Sequence, residues 1–342
     1  MKERLIVPGD NFNWLLYWCC ERMNIFWRRY NGLPQGEWTE DPIFQQYKFT
    51  QVYRVLDRAS QYLIREVIYN GNHYEPEDMF LRILLFRHFN LPSTWDLLKD
   101  EFGDITLETG LDNIVRFCDE AVHQGWTLYS NAYMIGAYFY NDPRLSYVQG
   151  MPKYQAQFEV WKREIFENGY LYEILESQSF EELYNRLHAL PIFGDFIAQQ
   201  YCIDLMYSPL FDFSENDFVV TGPGSIRGIR WTFENARGSS FDYVGAIHWT
   251  QDHFEERMRA FCDEACMEWN PLPWEPVPTL TNIQNCFCEI GKYAKGLGYT
   301  FQKGRRQERI KNVYDRPKAP IEYMFPPKWS VKMPRPGKVI IK

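Results

Sequence analysis

Between Phe49 and Asn70 the sequence reads FTQVYRVLDRASQYLIREVIYN, which sets Arg54, Arg58, Gln61 and Arg65 at intervals of four, three and four. Side chains at that spacing share one face of an α-helix. Three guanidinium groups on one side, with Asp57 beside them, gain little from each other and are better suited to holding an anion. The same pattern also describes an ordinary solvated helix face, and the spacing leaves both readings open. Val52, Leu56, Ala59, Leu63 and Val67 repeat on the opposite side, so the stretch predicts one amphipathic helix with its apolar stripe in the core. Further on, Pro76, Glu77 and Asp78 suit the first turn of a helix, and MFLRILLFRHFN is apolar nearly all round. Such a helix is buried. Its Arg82 and Arg87 therefore need carboxylates, backbone carbonyls or a ligand anion as partners.

A second informative stretch is LPIFGDFIAQQYCIDLMY, residues 190–207. The helical pattern SFEELYNRLHA runs into a tight Leu-Pro-x-hydrophobic-Gly turn, and a second helix is expected from about Asp195. This arrangement resembles the helix-hairpin-helix of DNA base-excision glycosylases, in which amides near Gly194 would hold a backbone phosphate. Ile192 stands where that motif usually has its first glycine. About twenty residues later comes NDFVVTGPGSIRGI. Asp217 falls near the distance at which the glycosylases place a catalytic aspartate. Gly222, Gly224 and Gly228, with Ser225 and Arg227, read either as a phosphate cradle or as a structural Gly-Pro turn.

Composition frames these motifs. With 342 residues, 45% of them hydrophobic and 18% aromatic, the chain can bury a large core. No apolar run has membrane-spanning length and the N-terminus has no signal-peptide pattern, so a soluble cytoplasmic protein is expected. The cysteines at 19, 20, 118, 202, 262, 266, 286 and 288 form no CxxC, and reduced thiols are expected in preference to a zinc site. The net charge of −8 is unevenly spread: from Lys292 onward 14 Lys/Arg face 3 acids, so that segment carries 14 − 3 = +11 and the remainder −19. Such a tail suits a phosphate backbone, with Lys303, Arg305 and Arg306 as its densest cluster, or a solvated arm on an acidic body. Helical patterns recur at 12–30, 93–125, 154–190 and in two C-terminal stretches; 127–140 fits a strand or a buried helix. The expected fold is mainly α, a helix-hairpin-helix DNA glycosylase-like helical fold. Residues 1–302 form its two-lobed helical domain and 303–342 a basic, Pro-rich C-terminal extension.

Taken together, WTEDPIFQQYKFTQVYRVLDRASQYLIR, FLRILLFRHFN, GPGSIRGI and NIQNCFCEIGKY resemble the α-glutamyl/putrescinyl thymine pyrophosphorylases, over most of residues 10 to 315. That family shares a helical module with 5-hydroxymethyluracil DNA kinases and includes phage amino acid:DNA transferases. The resemblance implies a transferase that acts on thymine in double-stranded DNA whose 5-methyl carbon has been hydroxylated and diphosphorylated. It would displace diphosphate with the amine of an amino acid, glycine foremost, or a polyamine. The chain contains no GxxxxGK[ST] phosphate loop, which sets it apart from the kinase branch. On this reading Arg54, Arg58, Arg65, Arg82, Arg87 and Arg227 serve the diphosphate, and Asp57, Asp204 or Asp217 accepts the amine's proton. The base must leave the duplex, with Tyr62, Trp95 or Tyr133 to stack on it and Gln61, Asn90 and Asn131 as polar pocket residues. The resemblance marks no certain cofactor, and a divalent metal could accompany the diphosphate. Two other readings stay open, a glycosylase that excises a modified base and a non-catalytic DNA-binding module.

Overall fold

The computed structural model describes residues 6–130, 141–301, 309–314 and 320–339. Asn131, Tyr133, Lys303, Arg305 and Arg306 lie outside the described residues. The helices are, in order, α1 (Phe12–Tyr30), α2 (Pro42–Gln46), α3 (Arg58–Tyr62), α4 (Pro76–Phe89), α5 (Pro92–Phe102) and α6 (Leu111–His123). They continue with α7 (Lys153–Trp161), α8 (Tyr170–Leu175), α9 (Phe180–Ala189) and α10 (Asp195–Met206), then α11 (Pro223–Thr232), α12 (Tyr243–Ala265) and α13 (Leu280–Gly296). Among the described residues β-structure is limited to isolated bridges such as Tyr47 with Val313. The fold is mainly α, as its periodicities predict.

The chain divides into two compact units, one comprising residues 1–57, 218–323 and 331–342, the other 58–217 and 324–330. In the first, α1 is buried on nearly every side from Trp18 to Trp27, which explains why its charged residues Glu21 and Arg22 end up inside. Helices α11 and α13 approach closely because Gly228 has no side chain: a Cβ there would stand 1.9 Å from the Phe287 carbonyl oxygen. Gly222 is therefore not part of an open turn. It precedes the first residue of α11, and the buried Ser225 hydroxyl is held by Gly222 N–H and donates to Gly222 O, both at 3.0 Å.

In the second unit α4 is sealed along its length from Met79 to Phe89, as its composition requires. Helices α9 and α10 form the expected helix-turn-helix. Ser179 caps α9 by accepting from Glu182 N–H, and Ile192 and Phe193 of the turn point into the core. The segment 324–330 returns to this unit, where Gln61 clamps Met324 through both amide ends, at 3.0 and 2.8 Å.

The stretch 49–70 is not one helix. A 3-10 turn at Arg54–Leu56 is followed by extended backbone at Asp57 (ψ 141°), then α3 and a π-helical segment, Leu63–Ile68. The reason lies in where backbone donors find partners. Asp57 Oδ1 accepts from Gln51 N–H at 2.8 Å and Asn282 Oδ1 accepts from Arg54 N–H at 2.8 Å, so side chains, one local and one from α13, replace the helical ladder. Val52, Leu56, Leu63 and Val67 are nevertheless fully buried, since each still points at a core.

Candidate functional site

The break at Asp57 separates the three arginines of the expected stripe. Arg54 is buried in the first unit, whereas Arg58 and Arg65 belong to the second; Arg58 is exposed and Arg65 pairs with Glu66 at 3.2 Å. They do not line one helix face.

In the second unit the remaining polar candidates are engaged internally. Arg82 donates from Nε to Val67 O and from Nη1 to Ile105 O, both at 3.1 Å, and lies over the Tyr74 ring at 3.8 Å and the Trp95 ring at 5.2 Å. Arg87 meets the Asp204 carboxylate through Nε and Nη2, the latter at 2.7 Å, and donates from Nη1 to Asn90 Oδ1 at 3.0 Å. Asn90 passes the network to Ser130. Asp204 is fully buried in this ion pair between α4 and α10, so it is shielded from any solvent-borne amine. Tyr62 stacks on Phe86 and donates to Asp96. Asp217 is exposed and accepts from Ser214 N–H at 2.9 Å, a local turn bond. Gly194 precedes α10 in extended conformation. Arg227 is exposed on α11 in the first unit.

The first unit instead builds a polar site around the segment 48–57. Its wall is α13, where Asn282, Asn285, Glu289 and Lys292 recur at intervals of three, four and three and so share one face. Asn282 holds Arg54 N–H; Asn285 Nδ2 donates to Thr50 Oγ1 at 3.0 Å and to Gln51 O at 3.2 Å. Glu289 Oε2 accepts from Thr50 N–H at 3.0 Å and from Lys292 Nζ at 3.1 Å. From α1, Arg22 donates Nε–H to Thr50 O at 2.9 Å. Helix capping by Thr279, which accepts from Asn282 N–H, fixes the start of that wall.

Asp57 sits in this frame with its carboxyl pushed up to about 7 by burial, against the opposing pull of Gln51 N–H and of the Arg22 and Arg54 guanidinium groups. Part of the residue's surface is exposed, while burial of its carboxyl is the largest cause of the shift. Burial likewise lowers the pKa of Arg22 to about 10, with Arg29 acting in the same direction and Asp57 and Glu289 against it. A carboxylate of this kind beside two guanidinium groups can accept a proton near neutral pH while the cations hold an anion.

Sequence reasoning names Asp57 and Arg54 but misses Arg22, Gln51 and the α13 face. Two signals mark them. A charged pair, Glu21-Arg22, lies inside an apolar helix, and a polar period of three and four runs through NIQNCFCEIGK. A concavity of this unit, about 690 Å³, is lined by residues including Trp14, Tyr17, Asp41 and Tyr293. Its Asp41 carboxylate is already used, capping α2 and accepting from the Tyr17 and Tyr293 hydroxyls at 2.9 and 2.6 Å.

A mainly α chain with a buried carboxylate-guanidinium site describes a class; comparison with known proteins narrows it. Residues 10–302 match the family model of the 5-hmdU DNA kinase helical domain. The chain belongs to that family. A curated relative, the 5-hmdU DNA kinase of Bacillus phage SP10, is 25% identical over 316 residues, which cover 86% of this chain and 47% of the relative. The chain thus spans about half the length of that protein. No solved structure matches it. Among the described residues no helix is long and apolar enough to cross a membrane.

Proposed function

We propose that this chain is a DNA thymine hypermodification transferase, which displaces diphosphate from 5-diphosphooxymethyl-uracil in DNA with the amine of an amino acid or polyamine. The observation that carries the reading is Asp57, a carboxyl held by Gln51 N–H, raised to about 7 by burial and within the field of the Arg22 and Arg54 guanidinium groups. It lies within the span that matches a family whose relative is named for 5-hmdU DNA chemistry. The sequence holds no GxxxxGK[ST] loop, which favours a reaction that consumes a phosphorylated base over one that makes it.

In the proposed step the amine lone pair forms a C–N bond at the 5-methylene carbon as the C–O bond to diphosphate breaks. The bonding electrons leave on the diphosphate oxygen, where the Arg54 guanidinium stabilises the growing charge. The proton shed by the attacking nitrogen passes to Asp57, whose raised pKa makes it a stronger base than a solvated aspartate. The target base must be rotated out of the duplex to be reached.

The test is incubation of the protein with DNA containing 5-diphosphooxymethyl-uracil and pooled amines, followed by nucleoside mass spectrometry. An amine-substituted thymidine with loss of diphosphate is expected. Unchanged DNA overturns the reading, and a released free base would identify a glycosylase instead.

A further inference from the structure

Two cysteines from distant parts of the sequence meet inside the first unit: Cys20 Sγ on α1 lies 3.7 Å from Cys262 Sγ on α12. Cys20 Sγ is also within hydrogen-bonding distance of Met258 Sδ, at 3.3 Å. The site around Asp57 uses none of these sulfurs. Their surroundings give the two thiols unequal roles. Cys20 has no exposed surface, whereas Cys262 is only half-buried. The Cys262 thiol is held below its ordinary pKa, chiefly by a hydrogen bond from Cys20 and also by one from Trp269 N–H, against burial and the Asp263 and Glu268 carboxylates. The same contact with Cys262, together with burial, pushes the Cys20 thiol up. A thiolate is the nucleophile in sulfur oxidation, so an oxidant meets Cys262 first and finds Cys20 placed to resolve the product.

The remaining thiols are placed differently. Cys19, Cys118, Cys202 and Cys286 are buried, and burial pushes the Cys288 thiol up to about 12. Cys266 is exposed, four residues beyond Cys262 at the C-cap of α12.

We propose that Cys262 and Cys20 form an oxidation site, in which a hydroperoxide converts Cys262 to a sulfenic acid and Cys20 closes it to a disulfide joining α1 to α12. The pair is independent of the reaction proposed above. In the first step the Cys262 thiolate bonds to the terminal peroxide oxygen as the O–O bond breaks, and the departing alkoxide takes up the proton that Cys262 had released. In the second, Cys20 sulfur bonds to Cys262 sulfur, and the expelled hydroxide leaves as water with the Cys20 proton. Two thiols lose two electrons, and one hydroperoxide is reduced to an alcohol and water. A disulfide bond measures about 2.05 Å, so the sulfurs close a gap of about 1.7 Å.

The test is exposure of the full, reduced chain to hydrogen peroxide, alkylation of the remaining thiols after denaturation, and non-reducing peptide mapping. A Cys20–Cys262 peptide pair is expected, absent after dithiothreitol. A higher Tm that returns to the starting value on reduction should accompany it, because the cross-link restricts the unfolded chain. Cys262→Ser is expected to slow oxidation of Cys20 by about tenfold or more, since the accessible sulfur is gone. Cys20→Ser is expected to stop at a Cys262 sulfenic acid, which dimedone traps. Cys266→Ser is expected to form the cross-link as the parent does, and with the parent map it decides the matter should substitutions within the pair fail to fold. A Cys262–Cys266 pair in the parent, a parent Cys262 that stays reduced or stops at the sulfenic acid, or Cys20 oxidised at the parent rate in Cys262→Ser overturns the site.

Discussion

Asp57 is the residue whose environment makes the most specific demands. Its carboxyl faces Arg22 from α1, Arg54 from its own segment and Glu289 from α13. Because its folded pKa is raised from 3.8 to about 7, its contribution to stability is complete below about pH 4 and is lost as pH rises through 7. Asp57→Asn removes that titration, so the variant should gain on the parent between pH 5 and pH 8 in urea denaturation. A constant difference across that range would mean the carboxyl is solvated. The same substitution should lower transfer by roughly 10² to 10⁴ fold, the range for loss of a general base, with the fold retained. In the parent, kcat/KM should rise with pH to a plateau above about 7. Arg87 behaves differently. It is locked to the buried Asp204, and removing one member of such a pair costs about 3–5 kcal/mol. Arg87→Met should therefore lower stability by that order. Arg87→Met with Asp204→Leu should recover much of it, whereas a Tm unchanged by the single substitution would refute the structural role.

At the scale of elements, the close approach of α11 to α13 supports the wall of the site. It depends on one glycine. A methyl group at position 228 would overlap the Phe287 carbonyl at 1.9 Å, and backbone cannot yield as a flexible side chain would. Gly228→Ala should destabilise the protein by at least the ~1–3 kcal/mol typical of overpacking, because the whole helix pair must shift. Gly36→Ala is the matched control, with nothing within 4 Å of its added Cβ and a backbone outside the left-handed region. Equal melting temperatures for the two variants would show that the helices are not closely packed. The π-helical segment after α3 has a similar local cause: side chains from Leu63 to Ile68 are directed at the core while Arg65 and Glu66 stay at the surface.

For the molecule as a whole, the placement of charge matters more than its sum. The segment from Lys292 onward carries +11 against −19 elsewhere, which is enough asymmetry to direct a polyanion. Deleting residues 303–342 is a poor test. Lys328 donates to Ser208 O at 3.0 Å in one unit, and Tyr30 and Asn31 hold Pro334 and Val339 in the other, so truncation would remove packing as well as charge. Replacing Lys303, Arg305 and Arg306 by glutamine is cleaner. If these side chains neutralise phosphates, the slope of log affinity against log salt should become shallower by about one for each phosphate left unneutralised. An unchanged slope would remove these residues from the DNA interface.

The sequence by itself determined the helical class, the burial of α4 and the core positions Val52, Leu56, Leu63 and Val67, because apolar periodicity records which side chains must leave water. It also singled out Asp57 and Arg54, since charged residues next to buried ones need partners. Tertiary structure decided what those residues do. Whether Arg54 N–H bonds along a helix or to Asn282 depends on a segment 228 residues away, which local propensity does not register. The same applies to Arg87, whose partner Asp204 lies 117 positions on. The raised pKa of Asp57 likewise comes from burial, against the pull of Gln51 N–H and of Arg22 on α1, and that environment exists only once the chain has brought α1, α13 and the 48–57 segment together.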